Sequence, residues 1–158
     1  MKCLVITGCC LFALASLALA KENTRFYRQI SLAVSYSYHF AGLWPSTPQE
    51  KVEKYEFILD DRDYPVRITH YGLKGSIVNN EEGWALYKIQ YDSQGRLIES
   101  SFFNADGKPT LGKSVGFSKE VVEYDGLGEK TSRYYSSNGR LLKVPESAQI
   151  DSFKSLSP

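Results

Sequence analysis

The side chains best able to do chemistry are few in this chain, and their spacing argues against a catalytic centre. Two histidines are present. His39 falls on the small, polar side of an alternating run, and His70 stands in a slot that Phe102 and Tyr134 fill further along, so its ring reads as a packing group. No serine sits in a Gly-x-Ser-x-Gly elbow or a helical Ser-x-x-Lys frame, the settings that activate a hydroxyl. Asp60, Asp61 and Asp63, and again Asn104 and Asp106, offer oxygens of the kind calcium takes. Neither group is completed by a distant bidentate glutamate, and aspartate and asparagine at such places make turns. Asn79, Asn80, Glu81 and Glu82 read as a solvated hairpin loop. The residues therefore give no catalytic, cofactor-binding or metal assignment, and no cofactor is expected.

Aromatic side chains are the remaining chemical lead, at 13% of the chain. Tyr64, Tyr71, Trp84, Phe103, Phe117 and Tyr135 recur in register. One reading places them in the core, where each large ring removes 150–250 Å² from water. The other exposes some of them beside Arg67, Lys88, Gln90 and Glu99 as a platform for sugar rings or an extended peptide. The candidate binding surface is thus Tyr71, Trp84, Phe103, Phe117 and Tyr135. Adjacent pairs such as Phe102-Phe103 and Tyr134-Tyr135 send one ring to each face of a strand, which lets both readings hold in part.

The elements that position these rings follow from a period of roughly 32 residues between Tyr55 and Leu142. The middle copy runs YDSQGRLIESSFFNADGKP from Tyr91 to Pro109, followed by Gly116-Phe117, and the last runs YDGLGEKTSRYYSSNGRL from Tyr124 to Leu141. The first copy carries Leu59-Asp60, Asp63, His70-Tyr71, Gly75 and Gly83-Trp84 in the matching places. Asp60, Asp92 and Asp125 stand 32 and 33 residues apart. Each unit reads as a β-meander: an aspartate opens the first turn, a residue suited to positive φ closes it, and the flanking runs alternate. Repeats at about 55–86, 87–119 and 120–143 account for six or more short strands.

The Tyr-Asp-x-x-Gly turn, the aromatic pair, the Asp/Asn-Gly-Lys-Pro turn and the downstream Gly-aromatic resemble bacterial YD or RHS-type repeats and related short repeats of secreted and surface proteins. The resemblance spans about 90 of the 158 residues. Copy one departs from it at the Tyr-Asp and at the first-turn glycine. The resemblance implies a scaffold and surface role and carries over no catalytic residue.

Upstream, Ile30, Leu32, Val34, Tyr36, Tyr38 and Phe40 alternate with Ser31, Ala33, Ser35, Ser37 and His39, which predicts one additional N-terminal strand over 30–40. Gly42 to Glu50, with Trp44-Pro45 and Thr47-Pro48, predicts a loop. Residues 145–158 predict a flexible tail.

Residues 1–20 carry one charge, Lys2, then an apolar run ending Ala18-Leu19-Ala20, the layout of a secretory signal peptide. The alternatives are an uncleaved anchor and lipid attachment at Cys9. Cys3, Cys9 and Cys10 all lie in this segment, so the chain from Lys21 has no disulfide or thiolate chemistry. That chain, 21–144 forming a single domain, carries 18 basic and 18 acidic residues. Its balance excludes a nucleic-acid partner, which selects a basic excess, and no integral membrane span is expected after cleavage.

Together these features predict a mainly β protein: an antiparallel meander sheet of about three repeats, curled or partly closed, with the extra N-terminal strand. The expected role is a non-catalytic exported binding or cell-envelope interaction protein, periplasmic or extracellular in a bacterium. Its expected partner is a glycan or an envelope protein, with a homodimer through a sheet edge as a further expectation. A hydrolase of wall glycan or peptide, and a purely structural envelope protein, are the alternatives.

Overall fold

A computed structural model describes residues 23–35 and 37–142. Its eight strands are β1 (Asn23–Ser35), β2 (Ser37–Ser46), β3 (Lys54–Leu59), β4 (Pro65–Tyr71), β5 (Leu86–Tyr91), β6 (Leu97–Phe103), β7 (Lys119–Tyr124) and β8 (Lys130–Tyr135). All pair antiparallel in one sheet of order β2-β1-β3-β4-β5-β6-β7-β8. The described residues contain no helix, hence none long and apolar enough to cross a membrane. The predicted signal segment and C-terminal tail lie outside the described residues.

One turn chemistry closes β3–β4, β5–β6 and β7–β8. Asp60, Asp92 and Asp125 each accept two backbone N–H bonds on Oδ1, from Arg62 and Tyr64, Gln94 and Arg96, Leu127 and Glu129, all at 2.8–2.9 Å. The fourth turn residue takes positive φ in each, at Asp63, Gly95 and Gly128. After β4, β6 and β8 a second turn folds the chain back on the strand just left, through the bridges Tyr71↔Ile77, Phe103↔Pro109 and Tyr135↔Leu141. The arms that follow stack on each other. Lys113 Nζ donates to the Glu81 carbonyl at 2.7 Å, and Ser114 N donates to Glu82 Oε2 at 2.8 Å.

Alternation then sorts the side chains. Phe57, Ile68, Tyr87 and Phe102 occupy one register row across β3–β6 and are buried, while Arg67 and Lys88 share a neighbouring row and are exposed. The buried rings form a chain across the core face: Tyr87 stacks on Phe102 at 4.5 Å, Phe102 meets Phe117 at 6.0 Å, and Phe117 meets Tyr134 at 4.7 Å.

The N-terminal region departs from its predicted form. Residues 30–40 are not one strand: Ser35 and Ser37 are register partners, so the chain reverses between them and β1–β2 is a hairpin. Register partners in it sum to an even number, as in Val34↔Tyr38 and Leu32↔Phe40, so the period-two pattern passes through the reversal unbroken. Alternation alone cannot distinguish that from a single strand. The facing of side chains 32–39 lies outside the described residues. Gly42–Ser46 likewise belongs to β2 and not to a loop. As an edge strand β2 needs no ladder donor at Pro45.

The sheet is open, not closed or partly closed. Its core face is protected in another way. β1 pairs with β3 only over Asn23–Tyr27, whereas Phe40 of β2 lies 5.3 Å from Trp84, 5.2 Å from Tyr87 and 6.5 Å from Phe102. Those rings lie at β5 and β6, several strands away in the sheet order, so the far half of the hairpin crosses over the core face. Within β2, Trp44 holds a φ of 53°, and any Cβ at Gly42 would run into the Tyr27 ring. Tyr27 in turn packs edge-on against Phe57 at 5.0 Å.

Candidate functional site

Two surfaces deserve the name of candidate site, one on the outer face of the sheet and one between the hairpin and the arms. On the outer face Tyr71, Phe103 and Tyr135 end β4, β6 and β8. All three rings are half-buried. Thr69 is in register with Leu86 and Phe103, and Ser101 with Lys119 and Tyr135. Each ring is thus offset two residues from the next along the strand and two strands across, which sets an oblique row with about 12 Å between steps.

Charged groups line that row. Lys88 Nζ lies 5.0 Å from the Phe103 centroid and Lys119 Nζ 5.3 Å from that of Tyr135, within the range of cation–π attraction. Lys119 also lies 3.4 Å from Glu99 Oε2, and the Tyr71 hydroxyl donates to Glu56 Oε2 at 3.2 Å. Burial, aided by the nearby Glu56 carboxylate, holds the Tyr71 phenol above its ordinary value. Arg67 and Lys88 stand directly opposite, an unfavourable like-charge pair, with Arg67 only 4.0 Å from Glu56 and no carboxylate within that distance of Lys88 among the described residues.

The other two residues of the sequence-derived surface lie elsewhere. Trp84 is 1% exposed and Phe117 5% exposed, and both belong to the core cluster. Each follows a positive-φ glycine, Gly83 or Gly116, at the end of an arm, which turns its ring inward. Their recurrence reflects packing, so the exposed set reduces to Tyr71, Phe103 and Tyr135. His70 packs as an aromatic: its ring lies 4.6 Å from Tyr55, and its Nδ1 is 3.0 Å from the Val78 carbonyl. A carbonyl only accepts, so Nδ1 is the donor in this contact.

The second surface is a cleft of about 610 Å³ whose floor and walls include Phe40, Tyr55, His70, Trp84 and Phe102. Its rim carries Glu53, Glu81, Glu82, Asn79, Asn80 and Ser114. Asn80 braces the rim: its Oδ1 accepts from Trp84 N at 3.2 Å and its Nδ2 donates to the Tyr55 hydroxyl at 3.5 Å. Burial raises the Tyr55 phenol, and the fields of Glu81, Glu53 and Glu82 raise it further against the Asn80 bond. Arg28 is already engaged by Glu50 Oε2 at 2.9 and 3.2 Å. Sequence reasoning missed this cleft because its residues run from Arg28 to Val115 and meet only when the hairpin crosses the sheet.

Hydrogen bonds from the Ser114 side chain and backbone hold Glu82 below the usual carboxylate range, the opposite of what a general acid needs. Glu120 is fully buried on the core face, where Ser132 Oγ donates to Oε1 at 2.8 Å and Lys130 Nζ lies 3.4 Å from the same oxygen. Among the described residues, no group of three or more histidine, cysteine, aspartate or glutamate side chains is placed to hold a metal ion. Comparison with family models, curated proteins and solved structures finds no match to this chain.

Proposed function

We propose that this chain is an exported, non-catalytic binding or cell-envelope interaction protein, built from three YD-like meander repeats and working in the bacterial periplasm or outside the cell. The repeat reading is supported by the common aspartate turn at Asp60, Asp92 and Asp125 and by the bridges that recur after β4, β6 and β8. Export is supported by the charge-poor, apolar residues 1–20 with their Ala-Leu-Ala ending.

The observation that carries the binding role is the outer row of Tyr71, Phe103 and Tyr135. A purely structural sheet gains by burying its rings. Here three are kept half-open at matching strand ends, two of them beneath lysine ammonium groups. Rings with polar neighbours suit the apolar face of a sugar or the side chains of an extended peptide, so the partner is a glycan or an envelope protein.

Replacement of Phe103 or Tyr135 with alanine tests the proposal. Retention of the purified protein on insoluble envelope material should weaken by about 1–3 kcal/mol per ring, with the fold intact by circular dichroism. Retention unchanged in the double variant would move the binding function off this face. Pairing of two copies through the terminal strands β2 and β8 accompanies the proposal.

A further inference from the structure

We infer that the tips of the three second turns, together with Trp44, form a docking surface at one end of the sheet, and that its partner is the surface of an anionic phospholipid bilayer. The turns follow β4, β6 and β8, so all three lie at the same end, on an oblique line with about 12 Å between steps. A Cβ at Gly75, Gly107 or Gly139 meets nothing within 4 Å, so each tip stands clear of the rest of the molecule. Every tip sets a cation beside an apolar residue: Leu73-Lys74, Lys108-Pro109 and Arg140-Leu141. Trp44 belongs to this end because its neighbour Pro45 is in register with Tyr27, and Tyr27 with Tyr55 at the start of β3. Its ring is 68% exposed, on a backbone of positive φ that bulky residues rarely adopt.

Two independent properties concentrate here. Of the eight large apolar side chains exposed among the described residues, only Tyr64 and Leu127 lie at the opposite end; Leu73, Ile77, Leu111 and Leu141 sit in these turns and arms, beside Leu43 and Trp44. Eight lysines and arginines pair with carboxylates, but Lys74, Lys108, Arg140 and nearby Lys51 have none within 4.0 Å among the described residues. Lys51, Leu73 and Lys74 line one groove of about 410 Å³, which joins the loop before β3 to the first tip. The acids of this end are set back: Glu53, Glu81 and Glu82 line the cleft, Glu50 is held by Arg28, and Asp106 is the one carboxylate in the three turns. Cations beside exposed apolar side chains suit anionic headgroups lying over acyl chains, with tryptophan at the boundary. An extended peptide docks along a continuous groove or strand edge, which three separate tips do not offer. Solubilised lipid presents no plane, so the tips engage only an intact bilayer.

This inference does not rest on the outer-face reading, and its test separates the two. Vesicles of phosphatidylglycerol with phosphatidylcholine, and of phosphatidylcholine alone, both with brominated acyl chains, are added while tryptophan emission is followed. The chain has two tryptophans, and Trp84 is 1% exposed, so quenching reports Trp44. The anionic vesicles should quench saturably and the neutral ones about tenfold or more weakly, and Trp44→Phe should abolish the effect. Lys74→Ser combined with Lys108→Ser and Arg140→Ser, all at exposed positions, should weaken binding about tenfold or more with circular dichroism unchanged. Salt at about 0.5 M should weaken it likewise. Lys88→Ser, which removes an exposed cation of the outer face, should shift it less than twofold. Residues 1–20 are present in every variant, so any contribution from them cancels in each comparison.

Equal quenching by neutral and anionic vesicles overturns the proposal, as does quenching that the triple variant leaves unchanged. Weakening by Lys88→Ser without weakening by the triple variant assigns the bilayer to the outer face and also overturns it. No quenching by either kind of vesicle overturns it too, and leaves the tips to a protein partner.

Discussion

At the scale of single residues the turns hold the sheet in register. Gly95 and Gly107 both hold positive φ, at 81° and 74°, but they differ in surroundings. A Cβ at Gly107 meets nothing within 4 Å, whereas one at Gly95 comes 2.8 Å from the Tyr64 ring, which leans on Tyr91 at 5.3 Å. Gly107→Ala should therefore cost about 1–2 kcal/mol from backbone strain alone. Gly95→Ala should cost about 0.5–1 kcal/mol more as the Tyr64 contact is lost, both read by urea denaturation. The turn aspartates set the acid limit. At Asp92, backbone hydrogen bonds from Arg96 and the Arg96 ion pair outweigh burial and lower the carboxyl; at Asp60, burial is the largest influence, but bonds from Tyr64 and Arg62 together overcome it. A depressed folded pKa stabilises above the unfolded value and is lost as pH falls through the folded one. The melting temperature should hold from pH 7 to 5 and drop below about pH 4. Asparagine serves the same turn at Asn104, so Asp60→Asn with Asp92→Asn should keep the fold and flatten that drop. Glu50 and Glu82, also held low, should leave a residual slope.

At the scale of elements the hairpin is the decisive piece. Phe40 makes three ring contacts across the core face, so Phe40→Ala should destabilise by about 2–3 kcal/mol and raise binding of a hydrophobic dye such as ANS. A variant as stable as the parent would mean that the hairpin does not cover the sheet. The six strands β3–β8 were legible in the sequence because Asp60, Asp92, Asp125 and Asn104 mark turns whose chemistry is local, and because alternation such as Tyr55, Phe57 and Leu59 reports a half-buried sheet directly. The hairpin was not legible, because its reversal preserves the alternation. Its placement against Trp84 and Tyr87 is a long-range packing event made through Phe40. The same distinction divides the candidate sites. Recurrence found the outer row of Tyr71, Phe103 and Tyr135, yet it could not tell those rings from the equally periodic Trp84 and Phe117, whose direction is fixed by arm ends. The cleft, assembled from dispersed residues, left no local signal beyond the loop Asn79 to Glu82.

At the scale of the whole molecule the two faces of the sheet differ in what they bury. One buries the rings Tyr87, Phe102 and Phe117, with Phe40 of the hairpin packed on Tyr87 and Phe102; the other presents half-buried rings and cations in an oblique row. The central claim is that this open face is where a partner docks. Lysine footprinting measures it most directly, because Lys88 and Lys119 lie over the Phe103 and Tyr135 rings, whereas the exposed Lys51 and Lys74 lie over no ring among the described residues. The protein is acylated with an amine-reactive reagent, alone and with solubilised bacterial envelope material, and modification is read at each lysine by peptide mass spectrometry. The account predicts that the envelope material protects Lys88 and Lys119 severalfold while Lys51 and Lys74 react as before. Protection confined to Lys51 and Lys74, or no protection at Lys88 and Lys119 when the protein is demonstrably bound, would contradict it.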